Sequence, residues 1–147
     1  MTGNETAIKK RAKEWVQAAD EDLRLARHAF KLKNAVPYKL IAYHAQQCVE
    51  KSLKAYLVSK KIDFPYTHNI SLLFELLPPS ADWSKELSKA EILSSYAITT
   101  CYPGRDKVTK KEAIEAVSLA ETVQATVIKA LAREGFKIPS GAKAGRL

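Results

Sequence analysis

The chain has 147 residues, 46% of them hydrophobic and 27% charged, which is enough for one domain with its own core and too apolar for an unfolded chain. Its 24 Lys and Arg outnumber 16 Asp and Glu, for a net charge of +8, and its two cysteines, Cys48 and Cys101, lie far apart. These counts exclude a disulfide scaffold and a thiolate zinc cluster, and they favour phosphate-bearing or acidic partners.

Glycine is absent from residues 4 to 102, and proline only punctuates that stretch. Long segments rich in Ala, Leu, Lys and Glu without either residue read as helices. The first is expected from about Lys9 to Lys33, with Trp15, Ala19, Leu23, Ala26 and Phe30 forming one apolar stripe at steps of three and four. Asn34 is its expected stop. The second helix spans roughly Pro37 to Lys60, with Leu40, Ile41, Ala45, Cys48, Val49, Leu53, Tyr56 and Leu57 on its apolar side. After the loop KKIDFPYTHN, Asn69 is the expected N-cap of a short helix, Ile70 to Leu77. Pro78-Pro79 ends it, and Asp82 or Ser84 caps a fourth helix expected to reach about Thr100. Thr109 and Glu112 have capping-box spacing and open the last helix, which is expected to reach about Arg133. Its small residues Ala113, Ala116, Ala120 and Ala130 permit close helix packing.

The reading is therefore all-α, an antiparallel bundle in a single domain over residues 1–134. Residues 135–147 are expected to form a basic, flexible tail. No run of about eighteen apolar residues occurs, so no membrane contact is expected, and the polar start and free thiols suit a cytoplasmic protein.

Charge is unevenly spread. Residues 24–61 hold nine Lys and Arg against the single acid Glu50. On the second helix Gln47, Glu50, Lys51 and Lys54 recur at steps of three and four, which makes a polar ridge. Asp22 lies on the apolar side of the first helix and needs a partner, because an unpaired buried charge is costly; Lys51 or Lys54 is the natural one. His68 precedes the third helix as a loop latch. The segment Cys101-Tyr102-Pro103-Gly104-Arg105-Asp106-Lys107 runs into a capped helix N-terminus. There Arg105 and Lys107 could hold phosphate and Tyr102 could stack on a base. Nucleotide-cradling glycine loops and zinc-protease motifs are absent, and the three histidines lack ligand spacing, so neither a cofactor nor a metal is expected.

Several pieces taken together resemble the HEPN domain family. They are Trp15 with Ala19, Asp22-Leu23 and Ala26; His44-Ala45-Gln46-Gln47 with Glu50-Lys51 and Leu53-Lys54-Ala55; Thr67-His68-Asn69-Ile70; and Tyr102-Pro103-Gly104 before the last helix. The resemblance implies an up-and-down bundle of four long helices with one short one. It also implies a homodimer with a cleft near the subunit interface, and a nucleotidyltransferase partner as in a toxin–antitoxin pair. Some members are metal-independent ribonucleases that carry an Arg followed four to six residues later by His near the start of the last helix. Here Cys101 stands at the Arg position, and no histidine follows His68. The leading expectation is thus a non-catalytic module that binds a nucleotide or RNA phosphate. Tyr102, Arg105, Lys107, Lys51 and Lys54 would contact the ligand, and Asp22, Gln47, Glu50 and His68 would support them. A ribonuclease with a divergent site and a pure protein-interaction module are the alternatives.

Overall fold

A computed structural model describes residues 3–83, 87–99 and 107–138. The described residues form helices and connecting turns, without strands.

The first helix, α1, spans Gly3–Ala29 and buries Ala12, Val16, Ala19, Leu23 and Ala26. It begins six residues before the expected Lys9 and stops four short of Lys33. Its early start has Glu5 in the first turn, where a carboxylate complements the positive helix end. Its early stop comes from the reversal that the chain must make before Pro37. Lys31 and Leu32 bond back to the carbonyls of His28 and Ala29, and Ala35 takes a left-handed φ of 51°. Trp15 and Phe30, expected in the stripe, pack only at its edges.

The second long helix, α2, spans Tyr38–Ser59 and is buried along most of its length. It lies against α1 on one side and the last helix on another, so it is the centre of the core. Its end is a Schellman closure. The amide of Ile62 donates to the Leu57 carbonyl and that of Lys61 to Val58, with Lys61 at φ 59°. Glycine is the usual residue there, and a lysine in this conformation is strained.

Asn69 caps α3, Ile70–Glu75, through its side-chain oxygen and the Leu72 amide at 3.2 Å, and α3 ends two residues before the expected Leu77. Among the described residues of the fourth helix expected up to Thr100, the structure has a 3-10 helix over Ser88–Leu93 followed by α4 over Ser94–Thr99. Leu87, Ala90 and Leu93 are buried at strict three-residue spacing, which matches three residues per turn and not 3.6.

The last helix, α5, spans Lys110–Arg133, and the expected capping box is formed: the Glu112 amide donates to Thr109 Oγ1 and the Thr109 amide to Glu112 Oε1, each at 3.1 Å. Ala113, Ala116, Ala120 and Ala130 are all buried within the chain, so this small-residue seam packs α5 inside the domain and is not a free surface. A second Schellman closure ends α5, this time with Gly135 at φ 85°.

Pairings between side chains set the directions. Asp20 and Arg27 of α1 meet Gln124 and Glu121 of α5, so those helices are antiparallel. Lys60 at the end of α2 bonds Glu134 at the end of α5, so α2 and α5 are parallel. The domain is an all-α, up-and-down bundle.

Candidate functional site

Two polar clusters lie along α2, both in or beside the core. In the first, Asp22 of α1 accepts from Lys51 Nζ at 2.6 Å and from His44 Nδ1 at 2.7 Å. His44 and Lys51 are seven residues apart on α2, two turns, and so reach one carboxylate from the same face. Asp22 is only 12% exposed, whereas His44 and Lys51 keep 26% and 25%. The carboxylate is committed and its two partners still reach solvent. With Nδ1–H donated to Asp22, Nε2 of His44 is the nitrogen left for other contacts.

The second cluster is deeper and centres on Glu50. Its Oε2 accepts from Lys54 at 3.0 Å, and its Oε1 accepts from His68 Nδ1 at 2.8 Å and Gln46 Nε2 at 3.3 Å. Lys54 also donates to the Thr67 carbonyl, Gln46 to the His68 carbonyl, and Gln47 to Gln46 Oε1. The Lys54 ammonium sits 5.3 Å from the Trp15 ring centre and 5.6 Å from that of Phe64. Every polar atom named here is satisfied, as a buried network must be. The cluster ties α2 to the loop before α3, from which His68 reaches Glu50.

These placements divide the expected ligand wall. Asp22 and Lys51 meet as anticipated. Lys54 does not form an exposed wall with Lys51: it is buried, and its partner is Glu50. Gln47 and Glu50 are buried with it and not part of an open ridge, because α2 runs through the middle of the bundle. Lys107 is exposed, just before α5. Tyr102 and Arg105 lie outside the described residues, as does Cys101. From Lys54 back to the start of α2 is about 24 Å of helix, and the start of α5 lies towards that far end, so Lys54 and Lys107 do not share a pocket.

Other polar residues escaped the sequence reading. Asp20 is buried and accepts from Gln124 at 3.0 Å; Arg27 Nη2 meets Glu121 at 2.8 Å, while its Nη1 is buried without a hydrogen-bond partner among the described residues. His44 belongs to the His44-Ala45-Gln46-Gln47 segment of the family resemblance, which does not mark it as a partner of Asp22. For Asp20 and Gln124, 104 residues apart, there was no advance signal. Burial pushes the Cys48 thiol up to about 12, with a hydrogen bond to Ser52 opposing the shift, so Cys48 is not a nucleophile in the folded protein. Among the described residues, no group of His, Cys, Asp and Glu could hold a metal ion, and no helix is long and apolar enough to cross a membrane.

Comparison with known proteins gives this architecture a context. A Methanocaldococcus jannaschii protein named "Putative toxin MJ1304" is 31% identical over 144 residues, covering 86% of this chain and 91% of the relative. The crystal structure of TT1696 from Thermus thermophilus superposes with a TM-score of 0.71 at 30% identity, over 81% of this chain and 97% of that one. The crystal structure of ST0689, described as an archaeal HEPN homologue, has the same fold, with a TM-score of 0.61 at 24% identity over 82% and 98% of the two chains. The model of the HEPN domain matches residues 12–131, from the first buried turns of α1 almost to the end of α5. With a helical bundle of the same topology and a match across nearly the whole domain, this chain belongs to the HEPN domain family.

Proposed function

We propose that this chain is a non-catalytic helical module that binds the phosphates of a nucleotide or RNA. It would form a homodimer and work with a nucleotidyltransferase-domain protein in a toxin–antitoxin-like pair. The observation that carries the reading is a set of lysines at the end of the bundle where the last helix begins, beside Glu112 and Glu115. Because α1 is antiparallel to both α2 and α5, the end of α1 and the starts of α2 and α5 share that end. Lys31, Lys33, Lys39, Lys107, Lys110 and Lys111 belong to those segments. Converging lysines raise the local potential and attract polyanions.

The capping box takes up the amides of Thr109 and Glu112, so lysine side chains carry the phosphate contact in this reading more than helix amides do. Arg105 supplies a planar fork for phosphate and Tyr102 a stacking ring, just upstream of Lys107. Lys51, still partly exposed beside Asp22, is a secondary contact. The name of the Methanocaldococcus jannaschii relative supports the toxin–antitoxin part.

The test is a titration of end-labelled RNA in EDTA at low and moderate salt, with each sample also run on a denaturing gel. The expected result is binding that weakens as salt rises, with the RNA intact. Replacing Lys107, Lys110 and Lys111 together with Gln should weaken binding by about tenfold or more and flatten the salt dependence. Salt-independent or absent binding would refute the reading.

One observation favours a second reading, a ribonuclease with a divergent site. His44 and His68 each present Nδ1 to a carboxylate, an arrangement that orients an imidazole for proton transfer. Cleavage in EDTA that disappears in His44→Ala or His68→Ala would select this reading over the first.

A further inference from the structure

An apolar groove between the end of α1 and the start of α2 has no part in the roles above. It holds about 200 Å3 and is lined by Leu25, Ala29 and Leu32 on one side and by Pro37, Leu40 and His44 on the other. Its three leucines are about half in water: Leu25 is 54% exposed, Leu32 52% and Leu40 47%. Scattered exposed leucines are ordinary, but three lining one concavity mark a contact surface. The flanking charge is mainly positive. No acid occurs between Asp22 and Glu50, whereas Arg24, His28, Lys31 and Lys33 lie on the same segments. Glu21, one turn before Leu25, is an exposed acid on α1, Glu121 is paired with Arg27, and Asp22 is occupied by His44 and Lys51.

We propose that this groove docks an acidic amphipathic helix from another protein. Apolar side chains at i, i+3 or i+4, and i+7 would enter among Leu25, Leu32 and Leu40, and carboxylates flanking them would face Arg24, Lys31 and Lys33. Charge selects this occupant over a second copy of the chain, which would bring two cationic segments together. Shape selects it over an anionic bilayer, because a concavity receives a ridge whereas a bilayer receives one from the protein. The groove shares Lys31 and Lys33 with the phosphate reading, so its test uses the leucines and Arg24, which that reading does not use.

The experiment uses the full chain and a labelled synthetic helix with Leu at alternating third and fourth positions and Glu elsewhere. The controls are a Lys-for-Glu counterpart and a scrambled Glu peptide. The Glu helix should saturate in the micromolar range by fluorescence anisotropy, with both controls weaker by about tenfold or more. Leu25→Ser with Leu40→Ser should weaken it by a similar factor while leaving the thermal melt and RNA binding unchanged, and Arg24→Glu should weaken it by a similar factor while leaving the thermal melt unchanged. Both changes are at exposed positions, so folding is retained; a variant whose melt shifts is replaced by Leu32→Ser. Absence of binding at about 1 mM peptide, or equal binding by the controls or variants, would overturn the proposal. So would a wild-type dimer dissolved by the leucine pair, or phosphatidylserine vesicles binding in place of the peptide.

Discussion

Asp22 and Lys51 are joined at 2.6 Å across the α1–α2 interface, and the same carboxylate takes the Nδ1–H of His44. The contact pins two antiparallel helices at one register, because a slip of one residue would turn Lys51 away from α1. Asp22→Ala leaves Lys51 and His44 half-buried without their acceptor and should destabilise the protein by about 2–3 kcal/mol. Urea unfolding would measure it. Pairing Asp22→Leu with Lys51→Met should recover part of the loss, since no partnerless charge then remains.

The Glu50 cluster governs the loop before α3. Removing the imidazole in His68→Ala leaves Glu50 bonded to Lys54 and Gln46, so the core persists while the latch is lost. Amide hydrogen exchange across residues 62–69 should speed up by about fivefold, equivalent to ~1 kcal/mol, with little change in α1. Glu50→Ala, which strands a buried ammonium, should cost about 3–5 kcal/mol and lower the melting temperature sharply.

Lys61 closes α2 in a conformation that suits glycine. Lys61→Gly should stabilise the protein by roughly 0.5–1 kcal/mol, the relieved backbone strain exceeding the entropy glycine adds to the unfolded chain. Gly135→Ala should destabilise by a similar amount, because Gly135 holds the equivalent place after α5 at φ 85° with open space around it, so the cost is conformational and not steric. Thermal melts of both variants would test the pair of signs.

Cys48 ties stability to alkaline pH. Its folded value of about 12 lies above the ordinary 9.0, so the unfolded thiol loses its proton first as pH rises. Its contribution is therefore complete below about pH 9 and falls away as pH climbs towards 12. The stability gap between the wild type and Cys48→Ala should narrow over that window when measured by denaturant titration. In a Cys101→Ser background, a thiol reagent at pH 8 should label unfolded protein readily and folded protein only through global opening.

What was legible in the sequence was local chemistry. The Thr109–Glu112 box, the Asn69 cap and the spacing of Ala19, Leu23 and Ala26 depend on residues within one or two turns, and the structure carries them all. The need of Asp22 for a cation was legible too, because desolvation sets that requirement wherever the helix packs. Which cation answered it was not. Lys51 and Lys54 are equivalent as composition, and only the rotation of α2 between its neighbours sends one to Asp22 at the interface and the other to Glu50 in the core. The same rotation turned an expected polar ridge into a buried network, since a helix enclosed by partners has no solvent side on which to leave charge. The length of α1, the break between Leu93 and Ser94 and the pairing of Asp20 with Gln124 were likewise decided by tertiary packing. Each depends on residues far apart in the chain, whose meeting costs conformational entropy that only the assembled core offsets.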